Sequence, residues 1–389
     1  MALPSPPFVL LDDASEGASS PARLFADPVA VIEARCSADV LPGLDRLRAA
    51  GDAGLHAAGF LSYEAGHALD PKLGPLARDT AEHEPPLLWF GLFRAPRLVA
   101  PAEVPRLLGD APARAAAPRP LIGFDAYTAA FSRAAALIAA GEIYQVNLAF
   151  PTEVPLAGPP AAAFRAIRAR ARAPFSALVA TGDHWLLSFS PELFFEIAGG
   201  RVRTRPMKGT AARSADPAAD IAAARALAAD PKQRAENLMI VDLLRNDLAR
   251  STIPGSIRVP RLFEVESYPT VHQLTSTVEG RLRSGTGPVD LLRAIFPCGS
   301  VTGAPKLRAM EAIAELEPTP RGPYTGAIGA LGPRGAARFN VAIRTLTLPD
   351  GGATARLGLG SGVVADSRAE EEWRECLAKG AFVTGQLAV

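Results

Sequence analysis

A chain of 389 residues that is 48% hydrophobic and 21% charged can bury one large core or two moderate ones, and its charge content is that of an ordinary soluble globular protein. A formal net charge of +1 excludes the broad basic footprint of a DNA- or RNA-binding protein, so any ligand is recognised locally. The three cysteines, Cys36, Cys298 and Cys376, are too few and too far apart for a disulfide framework or a CxxC metal site, which points to a reducing compartment.

Met1 to Phe25 holds Pro4, Pro6, Pro7, Asp12, Asp13 and Glu16 and lacks the basic start and apolar centre of a signal peptide. No run approaches the roughly 18 apolar residues of a membrane helix, so the expected location is the cytoplasm, with no membrane partner. Up to about Phe93, the strand-like runs Val29–Ile32, Ala58–Tyr63 and Leu87–Phe93 accompany a helical stretch from Leu41 to Ala50, a mixed pattern without catalytic spacing. His56, Glu64 and His67 in this part read as ordinary satisfied side chains. Ala95 to Pro120 is broken by Pro96, Pro101, Pro105, Pro112, Pro118 and Pro120 and reads as a connector. The chain thus divides into an N-terminal subdomain (1–95), a Pro/Ala-rich connector (96–120) and a larger catalytic domain (121–389).

Asp125 is placed to cap a helix with Tyr127, Phe131, Ala134 and Ile138 on one face and Gly141 at its close. A strand follows at Ile143–Leu148. Arg165, Arg168 and Arg172 share one side of the next helix and read as a solvated basic face. Leu186–Phe189 and Leu193–Ile197 suggest a hairpin, after which Ala198-Gly199-Gly200 turns the chain into a return strand Arg201–Thr204 that delivers Lys208. A lone lysine after a strand is ordinarily a solvated cation, so Lys208 gains meaning only from its company. Helices are expected over Pro217–Ala229, capped by Asp216, and Lys232–Leu248. In the second, Glu236 shares a stripe with Ile240 and Leu243, and a carboxylate turned toward apolar neighbours needs a partner. Glycine-rich strands at Ala327–Leu331, Arg338–Leu346 and Ala355–Val363 lead to a last helix from about Ala369 to Phe382. There Glu372 and Glu375 project from one face a turn apart; two such carboxylates repel unless a cation sits between them, and oxygen-only ligands suit Mg2+. Gly299–Lys306 has the glycine and lysine of a phosphate loop without its spacing, and Pro305 removes a donor, so no nucleotide is expected.

The segments Ser190–Phe195 (SPELFF), Arg205–Thr210 (RPMKGT), Ala235–Asp247 (AENLMIVDLLRND), Ser300–Lys306 (SVTGAPK), Gly322–Gly329 (GPYTGAIG), Asn340–Thr345 (NVAIRT) and Glu370–Lys379 (EEEWRECLAK) together resemble the chorismate-utilising enzymes. That group holds the anthranilate, aminodeoxychorismate, isochorismate and salicylate synthases, and the likeness runs from about Phe124 to the end. It implies an α+β fold of two antiparallel sheets packed face to face with helices outside. It also implies that Glu236, Glu372 and Glu375 hold Mg2+ against the ring carboxylate of chorismate, and that Glu192 is the general acid for the departing C4 hydroxyl. Tyr324 and Arg344 match residues that hold the enolpyruvyl carboxylate, and Gly360-Ser361-Gly362 offers unobstructed backbone N–H groups; Thr302, Gly209, His272 and Lys379 are matched as secondary contacts.

Lys208 makes the aminodeoxychorismate branch the closer match, since the anthranilate-forming relatives carry Ala there. Its amine is expected to attack C2 and be displaced by ammonia at C4. Gln145 stands where isochorismate-forming relatives place a water-activating lysine, and an amide is no comparable base. None of the cysteines sits in a glutaminase elbow, and the resemblance implies that ammonia comes from a separate glutamine amidotransferase subunit, or from solution at high ammonium concentration, with the product feeding 4-aminobenzoate and folate synthesis. The rival readings are anthranilate synthase component I and a catalytically silent chorismate-binding subunit. Val31-Ile32-Glu33-Ala34 lacks the serine of the Leu-Leu-Glu-Ser motif of tryptophan-regulated relatives, which counts against such feedback.

Overall fold

Central strands such as Leu88–Phe93, Phe175–Ala180 and Ala327–Leu331 are buried at every successive position, so each sheet buries both faces, one against the other sheet and one under helices. The computed structural model describes residues 2–268 and 271–385 and contains two sheets, antiparallel at every pairing described. Neighbour by neighbour, the first sheet runs Gly303–Ala304, Gln145–Ala157, Thr354–Val363, Thr345–Pro349, His184–Ser190, Phe175–Ala180, Phe8–Asp12, Ala22–Ala26 and Arg97–Val99. The second runs Met207–Ala212, Val271–Arg281, Arg201–Arg205, Leu193–Ala198, Ala337–Val341, Ala327–Leu331, His56–Leu61, Leu88–Phe93 and Ala30–Ala34.

Between the sheets, Val9, Phe25, Val179 and Leu186 of the first meet Phe60, Trp89, Phe93 and Ile328 of the second. The outer face of the first sheet is covered by the helices Phe124–Ala139, Pro160–Ala171, Lys306–Leu316 and Ala369–Lys379, through side chains such as Tyr127, Phe164, Met310 and Cys376. The outer face of the second lies under Val40–Asp52, Pro231–Ala249 and Pro288–Ile295, through Leu44, Ile240 and Leu292. Two antiparallel sheets packed face to face with helices outside is the expected architecture. Among the described residues no helix is long and apolar enough to cross a membrane.

Several local expectations change. The first 95 residues supply strands to both sheets, Phe8–Asp12 pairing with Phe175–Ala180 and His56–Leu61 with Ala327–Leu331. The proline-rich connector carries Arg97–Val99, a short helix and two short strands, Arg114–Ala115 and Arg119–Pro120, that edge Gln145–Ala157. Leu186–Phe189 and Leu193–Ile197 are not a hairpin: the chain leaves the first sheet at Ser190 and enters the second at Leu193. Strand periodicity alone does not tell a turn from a change of sheet. The hairpin at Ala198-Gly199-Gly200 is real, with Ala198 opposite Arg201 and both glycines at positive φ. Gly123 rather than Asp125 occupies the N-cap, and Asp125 lies in the helix's first turn, where its charge suits the dipole. The basic face is solvated only in part: Arg172 is exposed and pairs with the exposed Glu16, whereas Arg168 pairs with the buried Asp12 and Arg165 donates to the Ala111 carbonyl.

One buried ion pair gathers distant segments. The Arg321 guanidinium pairs with Glu317, donates to the carbonyls of Val301 (2.9 Å) and Asn147 (2.6 Å), and lies 4.6 Å from the ring centroid of Tyr63. Glu64 accepts from the backbone N–H groups of Arg321 and Gly322, the satisfied structural role read from sequence. Removing one partner from such a pair strands the other charge. Arg321→Met is therefore expected to lower unfolding free energy by about 3–5 kcal/mol, read from the midpoint shift in urea denaturation at unchanged m-value; a loss within experimental error would remove the pair from the fold's supports.

Candidate active site

The chain changes sheets twice at one seam. Ser190-Pro191-Glu192 leads out of the first sheet, and Ala342-Ile343-Arg344 leads back from the second. The Ser190 hydroxyl joins the two crossings, donating to the Val341 carbonyl at 2.6 Å and accepting from the Glu192 N–H at 3.2 Å, while Val341 N–H donates to the Glu192 carbonyl. Glu192 is thereby fixed in a buried position, and its Oε1 has no hydrogen-bond partner. Burial pushes its carboxyl up to about 7; the neighbouring Ser300 hydroxyl and the charges of Lys208 and Lys379 pull the other way without cancelling the effect.

Opposite this acid, alternation clears a floor. In Gln145–Ala157, Val146, Leu148 and Phe150 enter the helix-covered core, which turns Gln145, Asn147 and Ala149 to the other side. In Thr354–Val363, Leu357, Leu359 and Val363 do the same, leaving Gly358, Gly360 and Gly362 on the inner face, with Gly362 across the ladder from Asn147. The missing methyls are filled by functional side chains. A Cβ on Gly362 would stand 2.6 Å from Gln145 Nε2 and 2.9 Å from Lys208 Nζ; one on Gly358 would strike the Tyr324 ring at 2.2 Å, and one on Gly360 would meet its hydroxyl at 3.0 Å. Lys208, on the strand Met207–Ala212, makes no ion pair among the described residues. Burial lowers its pKa, assisted by the positive Lys379, while Glu236, Glu192 and Glu375 act in the opposite direction.

The three glutamates expected to hold a metal reach this region from two helices. Glu372 is buried and accepts from the Ser367 hydroxyl at 2.7 Å; Glu375 pairs with Lys379 at 2.7 Å; Glu236 is half-buried on the helix Pro231–Ala249. Burial raises the Glu236 pKa, Lys208 and Lys232 lower it, and Glu375 and Glu372 raise it again, so the carboxylates lie within electrostatic reach of one another. Oxygen donors of like charge suit a hard divalent cation in kind. Among the described residues, however, no three acidic, His or Cys side chains stand close enough to form a ready metal cluster.

The other expected contacts separate. Lys379 donates to the Gly360 carbonyl at 2.9 Å, which ties the helix of Glu372 and Glu375 to the glycine-lined strand. Arg344, at a φ of 51°, has no ion-pair partner among the described residues, and burial lowers its pKa, opposed by Tyr268. Thr302 is buried with its hydroxyl on the Cys298 and Gly299 carbonyls, and Gly209 takes a φ of +89° beside Gln233. His272 has both ring nitrogens engaged, Nδ1 with Ser267 (2.8 Å) and Nε2 with Asp220 (3.0 Å), so it enters the structure as a brace between strand and helix. Sequence reasoning missed Ser300, whose hydroxyl lies near enough to Glu192 to favour its carboxylate, and Asn147, whose inward position follows from the alternation around Gln145.

Comparison with known proteins agrees with this geometry. A family model described as chorismate binding enzyme matches residues 6–385. Aminodeoxychorismate synthase component 1 of Salmonella typhimurium is 46% identical over 253 residues, 65% of this chain and 55% of that protein. Anthranilate synthase component 1 of Streptomyces coelicolor is 45% identical over 254 residues, 65% of this chain and 49% of that protein. The matches thus span about half the length of these curated relatives. The crystal structure of anthranilate synthase component I from Streptococcus pneumoniae superposes with a TM-score of 0.76 at 25% identity, covering 99% of this chain and 93% of that one.

The buried acid gives a spectroscopic prediction. The protonated-carboxyl infrared band lost in Glu192→Gln is expected to persist up to about pH 7 in the unsubstituted protein. Ser300→Ala removes a neighbouring hydroxyl that favours the carboxylate and moves that titration to higher pH; a band that vanishes near the ordinary pH 4.5 contradicts the assignment.

Proposed function

The chain belongs to the family of chorismate-binding enzymes, and on that premise we propose that it converts chorismate and ammonia to 4-amino-4-deoxychorismate. Relatives of nearly equal identity carry the aminodeoxychorismate and anthranilate names, so identity does not choose the product. The observation that carries the choice is Lys208: an amine with lowered pKa and no ion-pair partner among the described residues, packed beside Gln145 over Gly362 and within electrostatic reach of Glu192.

In the first step the neutral Lys208 amine attacks C2 of the ring, the double bond shifts, and the C4–O bond breaks as Glu192 gives its proton to the departing hydroxyl, releasing water. Glu192 is left as carboxylate beside a lysine-bound ammonium adduct. In the second step ammonia attacks C4, the C2–N bond breaks, and Lys208 leaves as a free amine. The new ammonium returns a proton to Glu192, restoring the starting states. Gln145, an amide, does not activate water at C2 and so disfavours hydroxylation. Tyr324 and Arg344 are suited to the enolpyruvyl carboxylate, the guanidinium being free of competing ion pairs among the described residues.

Glu236, Glu372 and Glu375 would hold Mg2+, which when bound supplies charge neutralisation for the ring carboxylate. Ammonia is supplied by a glutamine amidotransferase subunit, a reading supported by the component 1 naming of relatives and by cysteines unsuited to the task. Cys298 is buried and its thiol is pushed up to about 12, and burial likewise raises Cys376. The destination of the product, 4-aminobenzoate and folate in the cytoplasm, belongs to the same proposal.

Incubation of the purified chain with chorismate, ammonium and Mg2+ is expected to yield 4-amino-4-deoxychorismate by chromatography and mass spectrometry. Anthranilate as the product establishes the rival, and no turnover under any condition establishes a silent subunit. Lys208→Ala abolishes or greatly slows formation of the 4-amino product, and Glu192→Gln lowers kcat by roughly 10²–10⁴-fold. Because the acid must be protonated in the free enzyme, kcat/KM falls as pH rises through about 7.

A further inference from the structure

Asn147 is buried on the inward face of Gln145–Ala157, opposite Gly362, and its side-chain Nδ2 has no hydrogen-bond partner. Its backbone is held at both ends: the N–H donates to the Thr302 carbonyl at 2.8 Å and the carbonyl accepts from Arg321 at 2.6 Å. Only the side chain is left uncommitted. Its amide stands beside the Tyr324 phenol, close enough to favour the ionised form of that hydroxyl, yet without the geometry of a formed bond. A buried donor without an acceptor is costly and persists where a ligand supplies the missing atom.

We propose that Asn147 is a substrate-contacting residue whose Nδ2–H donates to a carboxylate of the bound substrate next to the Tyr324 hydroxyl. The proposal rests on the reading of this site as a chorismate site. A carboxylate fits because two hydrogen-bond donors, Asn147 Nδ2–H and the Tyr324 hydroxyl, stand side by side near Gly360 and Gly362, a pair that one carboxylate's two oxygens can meet. The nearby carboxylate of Glu317 is already taken by Arg321. Two residues earlier on the same face, Gln145 presents the opposite orphan, an acceptor Oε1. Two inward amides about 7 Å apart along the strand therefore offer a donor at one end and an acceptor at the other. That polarity fits a ring with an acidic substituent near Asn147 and a hydrogen-bearing group, hydroxyl or amine, near Gln145 and Lys208.

The test uses Asn147→Leu and the near-isosteric Asn147→Asp in the full chain, with chorismate KM and kcat measured under ammonium and Mg2+. Chorismate Kd is measured by calorimetry in a Lys208→Ala background, where turnover does not intrude. Asn147→Leu is expected to raise KM and Kd on the order of tenfold, the scale of a hydrogen bond to a charged group. Asn147→Asp raises both further, because it sets a carboxylate against a carboxylate. Unchanged KM and Kd in either folded variant overturn the contact, as does a fall in kcat that only tracks lost stability. If wild type binds chorismate but yields no 4-amino product, the functional reading fails while the Kd series still judges Asn147.

Discussion

The site depends on the chain passing between two sheets twice at the same place, the two crossings being tied together by the Ser190 hydroxyl and by backbone bonds between them. Ser190 bonds across the seam to Val341 and to the backbone of Glu192, so the acid and Arg344 sit on paired crossings rather than on free loops. A crossing leaves backbone groups without ladder partners in a buried place, where unpaired groups are expensive. The bonds between the crossings satisfy several of them, and the side chains they carry are held by both sheets at once. Arg321 serves the same end from behind, joining the carbonyls of Asn147 and Val301 to the Glu64 segment near the N-terminus.

On this frame the electrostatics divide two roles between neighbouring groups. Burial favours the neutral forms of both Glu192 and Lys208, raising the acid's pKa to about 7 and lowering that of the amine. Lys379 is treated differently: burial lowers its pKa, but Glu375 and neighbouring acidic groups more than reverse the effect, and it remains a bound cation. Two lysines in one region are thus shifted in opposite directions, and of the two only Lys379 has a carboxylate in contact among the described residues.

The sequence was most legible where local chemistry decides. Asp216 caps its helix by accepting from Ala218 and Ala219, and the paired glycines at 199 and 200 turn a hairpin, both as their residue types require. It was least legible where distant partners decide. Nothing around Ser190 distinguishes a turn from a passage between sheets, because the apolar alternation reads the same on either sheet. Arg168 looked solvated because its partner Asp12 lies 156 residues away. Asn147 was open to discovery, since it shares the face of Gln145, but an amide in a strand signals nothing until its donor is seen to lack an acceptor. The family resemblance supplied the two-sheet architecture, which composition alone leaves as an unspecified mixture of helix and strand.

The alternating glycines at 358, 360 and 362 shape the floor by absence, each leaving room that Tyr324, Gln145 or Lys208 occupies. Mutagenesis by truncation, which trims side chains to find what matters, has nothing to trim at these positions and would pass over this strand. Their importance becomes visible only by the inverse operation, adding one carbon at a time, and a library built to vary this site should treat bulk on that strand as its most restrictive variable.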